Sequence, residues 1–260
     1  MIRCNEYLKK LTSKNKVAFT KRGNASINAS LKYAKSLGYK KLLIQDQGGW
    51  ITYPQFAKKL KFELTRLKTD FGVVNPKSLN NFKDSVLLIN SMSGYAFLQN
   101  MKKIYKVCKK NNIFLINDAA GSIGTKQAKF GDIIIGSFGR WKPVNLQEGG
   151  FIATNINTDF FNEFSFELDF LALSEKLSIL KYKLKLFNTI NNRIKKELSD
   201  FEITHKKKKG INVFVKFHDD SEKKKLIKYC ENNCFEYVLC PKEIRVLDSA
   251  ISIEVKRLDN

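Results

Sequence analysis

The sequence predicts an α/β fold, a mostly parallel sheet with helices on both faces, followed by a smaller α+β unit. Three observations predict it. Near-continuous apolar runs of strand length recur through the first 155 positions, as in strands buried on both faces. Amphipathic stretches of helical period alternate with them over short connections, the pattern of parallel strands joined by crossover helices. Beyond position 160 the character changes. A segment without Gly or Pro runs to about 200, and short strand-like runs then flank a single helix.

The elements follow in order. The apolar runs are 41–45 (KLLIQ), 85–90 (SVLLIN), 113–118 (IFLIND) and 132–138 (DIIIGSF), with 149–155 (GGFIATN) as one more strand. Helices are expected over 25–38, stopped by Gly38, and over 98–112. The second places Met101, Ile104, Tyr105 and Cys108 on one face. Residues 160–200 are helical in period. In the last third, 211–217, 235–240, 243–248 and 250–255 read as strands of one antiparallel sheet, with a helix over 221–233 lying on it. The predicted domains are 1–185 and 186–260, and no internal repeat is present.

Composition narrows the class. A chain of 260 residues, 43% of them hydrophobic, buries a sizeable core as one large domain or a large and a small one. No run of 18 apolar residues occurs, so no membrane-spanning helix is expected. The polar start, without an apolar stretch of signal-peptide length, sets cytoplasmic localisation as the expectation. The five cysteines form no framework and read as free thiols. Cys230, Cys234 and Cys240 stand near His218, but their spacing is not a usual zinc pattern, and no metal is expected. The formal charge of +22 attracts anions of every kind, nucleic acid included. The lysines are spread along the chain with no stacking platform or recognition helix, so charge alone does not establish a nucleic-acid partner. The one dense run, 205–210 (HKKKKG), reads as a solvated turn. His205 and His218 are the only histidines, which leaves little material for a Ser–His–Asp or Cys–His centre.

The chemistry is expected at the carboxyl ends of the parallel strands. There 113–118 finishes with Asp118, and 132–138 delivers Ser137 with Lys142 five residues on. The run KLLIQDQGGW leaves its strand and reaches Trp50. In TKRGNAS, 20–26, Gly23 enters a helix. One ligand needs all of these: an aldehyde that condenses with a lysine to an imine, a ring nitrogen kept protonated by a buried carboxylate, a face for an aromatic side chain, and a phosphate for a helix start and a hydroxyl. That ligand is pyridoxal 5'-phosphate (PLP).

Segment 113–155 carries Asp118-Ala119-Ala120, then Gly131-Asp132, then Ser137-Phe138-Gly139-Arg140-Trp141-Lys142, then Gln147-Glu148-Gly149-Gly150. In order and in Ser-to-Lys spacing it resembles the core of fold-type I PLP enzymes, in particular the DegT/DnrJ/EryC1/StrS aminotransferase family. The resemblance covers roughly 15–155. It implies a PLP-dependent transferase (aspartate aminotransferase-like) large domain with a mixed, mostly parallel seven-stranded sheet, the strand at 149–155 antiparallel to the rest. It implies Lys142 as catalytic amine, cofactor contacts from Gly23, Asn24, Ala25, Trp50, Asp118, Ala120, Ser137 and Lys142, a small amine or keto substrate, sugars included, and a homodimer. The sequence departs from the family at Gly121, where Gln or His usually stands near the ring hydroxyl, and at Gln147, the first Gly of the Gly-Glu-Gly-Gly corner. Alternatives within the reading are a PLP lyase, a desulfurase, an enzyme of a tRNA-linked substrate, or a non-catalytic binding module. Arg140, Arg245 and Arg257 are candidates for a substrate acid group, with no motif behind them.

Overall fold

The computed structural model describes residues 1–157 and 159–258. In chain order the elements are α1 (Ile2–Thr12), β1 (Lys16–Thr20), α2 (Gly23–Ser36), β2 (Lys41–Gln45), α3 (Thr52–Lys59), β3 (Glu63–Leu67), β4 (Ser85–Asn90), β5 (Met92–Ser93), β6 (Phe97–Leu98), α4 (Met101–Lys110), β7 (Ile113–Asp118), β8 (Ile133–Ser137), β9 (Gly150–Thr154), α5 (Phe170–Ser178) and α6 (Leu180–Glu197). A smaller unit adds β10 (Val213–Lys216), α7 (Asp220–Asn232), β11 (Tyr237–Leu239) and β12 (Ala250–Ile253).

The seven-stranded sheet has the order β1-β9-β8-β7-β4-β2-β3. β9 runs antiparallel to both its neighbours, and the other pairings are parallel. The apolar runs are continuous because alternate residues serve two cores. Leu42, Ile44, Val86, Leu88, Ile116, Ile133 and Ile135 point to the side covered by α2 and α3. Leu43, Leu87, Ile89 and Leu115 face α4 through Met101, Ile104 and Cys108. Ile134, Phe151 and Ala153 lie under α1 and α5 on that same side. Of the face expected on α4, Tyr105 is half-buried and donates from Oη to Asp132 Oδ1 at 3.2 Å.

In the smaller unit β12 is the central strand, paired antiparallel with β10 and β11. The strand expected over 243–248 is not formed. Both edges of β12 are already taken. The Lys242 N–H to Val246 C=O bond and the Arg245 N–H to Lys242 C=O bond, each 2.8 Å, close a turn instead. The expected domain boundary, 185, falls inside α6, which continues to 197. The 205–210 run is a turn, but not a wholly solvated one: the His205 ring packs edge-on at 4.8 Å from Phe97.

The smaller unit is bonded directly to loops at the carboxyl edge of the large sheet. The Gly48 N–H donates to Glu243 C=O at 2.6 Å, and the Leu98 N–H to Lys209 C=O at 2.8 Å. The N–H groups of Ile211 and Asn212 both donate to the Tyr95 carbonyl, at 2.8 and 3.0 Å.

Candidate active site

Parallel strands deliver their last residues to one edge, and there β7 ends on Asp118 and β8 on Ser137. Gly23, Asn24, Trp50, Asp118, Ala120, Ser137 and Lys142 all line one cavity of about 200 Å³. A water takes about 30 Å³ of liquid, so the space suits a small ligand rather than a single solvent molecule. Of the expected contacts, Ala25 is the one outside the lining; its N–H is spent on the Arg22 carbonyl at 2.9 Å.

At one end sits the acid. Asp118 is buried. Its Oδ2 accepts from Tyr53 Oη at 2.6 Å and its Oδ1 from the Ala120 N–H at 2.9 Å. Burial raises its pKa, and these two hydrogen bonds together with the Lys142 charge oppose that rise. Among the described residues Asp118 has no cationic partner within 4 Å. A buried carboxylate with donors but no salt partner is suited to a positively charged ligand atom.

At the other end α2 begins at Gly23, and Arg22 before it gives no side-chain cap. A Cβ on Gly23 would lie 2.7 Å from Ser137 Cβ, so only glycine leaves this cradle open. An uncapped helix start beside a serine hydroxyl suits an anionic oxygen cluster. Asn24 serves differently: its Oδ1 accepts from Trp50 Nε1 at 2.9 Å and from Thr52 Oγ1 at 3.2 Å, which fixes the indole.

Lys142 lies between the two ends, its Nζ 4.8 Å from the Trp50 ring centroid. Burial brings the amine down to about 8; Asp118 resists the fall and Arg245 adds to it. The residue before it, Trp141, is in the left-handed region at φ 63°, a conformation bulky side chains seldom hold. Arg140 and Arg257 stand 4.6 and 4.2 Å from its ring. The tryptophan is thereby pinned to the smaller unit while the chain turns Lys142 into the cavity. Gln147 keeps φ at 67°, so the corner holds its shape with a non-glycine residue there. Gln147→Gly is expected to stabilise the protein by up to about 1 kcal/mol, read as a rise in Tm.

Three features escaped the sequence reading. Tyr53, the second residue of α3, is the partner of Asp118. Tyr95 reaches the cavity from the tip of the β5–β6 hairpin and is hydrogen-bonded to Lys142 Nζ. A buried charge cluster of the smaller unit lies behind Tyr95. Their one legible sign is position, since Tyr53 follows Trp50 by three residues and Tyr95 follows the carboxyl end of β4. In the cluster, Glu254 accepts from Arg245 Nε and Nη2, both at 2.8 Å, and from Ser252 Oγ at 2.6 Å, with Lys256 Nζ at 3.1 Å. Burial works to raise the Glu254 pKa, but Arg245 and Lys256 outweigh it and hold the acid at about 2. Burial, against the pull of Glu254, brings Lys256 down to about 7. Arg245 and Arg257, weighed as substrate clamps, are thus engaged elsewhere: Arg245 forks onto Glu254, and Arg257 Nη1 donates to Glu236 at 2.7 Å. The three clustered cysteines do not converge either. Cys230 and Cys240 belong to different core clusters, and Cys234 is exposed.

The fold, a seven-stranded sheet with a cavity at its strand edge, is that of solved fold-type I PLP-dependent enzymes. The chain matches two family models: residues 73–159 match that of the DegT/DnrJ/EryC1/StrS aminotransferase family, and residues 181–260 match that of the MJ1341 family C-terminal domain. The GDP-perosamine synthase of Escherichia coli O157:H7 is 29% identical over 137 residues, which is 47% of this chain and 38% of that protein. Among solved structures, DndA from Streptomyces lividans superposes with a TM-score of 0.78 at 12% identity, over 97% of this chain and 86% of the other. A DegT DnrJ EryC1 StrS aminotransferase from Brucella abortus superposes with a TM-score of 0.74 at 14% identity, over 97% and 84%. At these identities the superpositions establish the fold.

Proposed function

We propose that this protein is a PLP-dependent aminotransferase of small amine and keto substrates, with Lys142 as the amine that carries the cofactor. The observation that carries the reading is that Lys142 and Asp118 face one cavity beside the Trp50 ring, with the Gly23–Ser137 cradle at its far end. When bound, PLP supplies an aldehyde and an electron-accepting ring. The chain's own residues do the rest. Asp118, steadied by Tyr53 and Ala120, holds a proton at the ring nitrogen. Trp50, fixed by Asn24, covers a ring face. Gly23 and Ser137 receive the phosphate. Lys142, with a pKa near the working range, is available both as a neutral amine and as a proton carrier. A homodimer goes with this reading.

The test is to load the purified protein with PLP and offer a panel of amino donors. Chromatography of the released cofactor is expected to show pyridoxamine phosphate with at least one donor. Absence of pyridoxamine phosphate with every donor, in protein that holds PLP at Lys142, would overturn the aminotransferase reading. Gly23→Ala supplies a second check. Its Cβ displaces Ser137, and PLP affinity by fluorescence titration is expected to fall by about tenfold or more, a loss of about 1.4 kcal/mol.

A further inference from the structure

The β5–β6 hairpin is seated with unusual closeness. A Cβ on Gly48 or on Gly72 would lie 1.9 Å from Ser93 Oγ, and one on Gly210 would lie 2.1 Å from the Ala96 carbonyl oxygen. A Cβ on Gly121 would lie 2.8 Å from Tyr95 Cδ1 and 3.1 Å from its Cε1. Four separate segments therefore give up a side chain to admit this hairpin. Its tip is strained, with Tyr95 in the left-handed region at φ 65°, and its carbonyl is held by the N–H groups of Ile211 and Asn212. Backbone strain that the surroundings over-determine is a mark of a working residue. Tyr95 is 4% exposed. Three cations surround it, with Lys142 Nζ at 4.6 Å, Lys256 Nζ at 4.8 Å and Arg245 Cζ at 5.5 Å from its centroid. The hydroxyl meets the amine of Lys142.

We propose that Tyr95 is a positioning residue of this site, aiming the Lys142 amine through its hydroxyl from space that the glycine at 121 leaves open. The proposal rests on the cofactor reading above. In the structure Lys142 donates to the Tyr95 oxygen, and such a bond favours the charged amine. The ionisable groups around that amine are Asp118 on β7, itself bonded to Tyr53, Arg245, Glu254 and Lys256 of the smaller unit, and Arg22, Arg140 and Glu148 along the cavity wall. Tyr95→Phe leaves all of these in place and removes only the Tyr95 hydroxyl, while the ring that fills the space stays.

Two measurements on one set of variants test this. The first uses cofactor-free protein and follows reductive methylation of Lys142 by mass spectrometry against pH. Wild type is expected to show a midpoint near 8. Tyr95→Phe is expected to lower it, so that labelling at pH 7 rises by about threefold or more. The second measures the rate at which PLP becomes attached to Lys142, trapped by borohydride. Here Tyr95→Phe is expected to slow capture by about tenfold or more, because the amine is no longer aimed. Gly121→Ala, which pushes the ring aside, is expected to reproduce both effects. The double variant should add nothing, as for two changes to one interaction. A merely structural tyrosine would not make the amine more reactive and the capture slower together. A midpoint that is unchanged or raised, a capture rate within about twofold of wild type, or full additivity with Gly121→Ala would overturn the proposal. Wild-type protein that fails to capture PLP would sink the cofactor reading instead, and the methylation profile would still decide whether Tyr95 acts on Lys142.

Discussion

Lys142→Met is expected to abolish covalent retention of PLP and to reduce amino-group transfer by about 10²–10⁴-fold or more, the range for a lost proton-transfer group. The loss should exceed that of any other single change in the cavity, because in the proposed reading one side chain provides both the attachment point and the proton carrier. Non-covalent PLP binding should persist, since Asp118, Trp50 and the Gly23–Ser137 cradle are untouched. Dialysis followed by absorbance separates the two forms of binding. The same variant carries a pH signature. The folded-state pKa of Lys142, about 8, lies below the ordinary lysine value of 10.5. Its ammonium is therefore a cost to the folded state that is fully present below about 8 and disappears as pH rises toward the unfolded value. Relative to wild type, the methionine variant is expected to gain most in Tm near pH 7, with the gain shrinking toward pH 10.

Glu254→Gln is expected to destabilise the protein by about 3–5 kcal/mol, the cost of breaking a buried ion pair from one side. The carboxylate is fully buried and is the shared acceptor of Arg245, Lys256, Ser252 and Asn212. Glutamine keeps the shape but leaves Arg245 charged and unpaired out of water. Lys256 has an escape, since with its pKa at about 7 it sheds its proton readily. Arginine has none. The sign with pH follows. The Glu254 pKa is depressed from 4.5 to about 2, so its contribution is present above 4.5 and lost as pH falls toward 2. Urea unfolding at pH 7 and at pH 3 should show the gap between wild type and variant narrowing in acid. A gap that is constant with pH would mean that the carboxylate charge is not what stabilises the cluster.

Most of the large sheet was legible because its central strands are buried on both sides. All six residues of β4 are buried, and the run 85–90 coincides with the strand. The edges were not legible: in β3 four of five residues are exposed, and β1 begins with an exposed lysine and two half-buried residues. Neither leaves an apolar run to find. In the small unit, Ile244, Val246 and the flanking residues alternate like a strand, but alternation cannot report that β12 has no free edge. The same division holds for the site. Asp118 and Ser137 end their strands and Lys142 follows Ser137 at a fixed spacing, and the cavity brings them together. Tyr95 depends on a left-handed tip and on glycines at 48, 72, 121 and 210, and Arg245 and Glu254 meet only once the small unit folds. Contacts between distant segments leave no period in the chain.

The bonds that tie the hairpin to Ile211 and Asn212, and the loop at Gly48 to Glu243, bear on how this architecture can be rebuilt. A chimera that exchanged the last eighty residues for those of another enzyme would keep the sheet yet lose the groove in which residues 92–98 are seated. The transplantable module is thus discontinuous in sequence. To travel intact, the C-terminal piece must bring the hairpin and its four accommodating glycines along, and shuffling schemes that cut only at α6 should yield folded but inert recombinants.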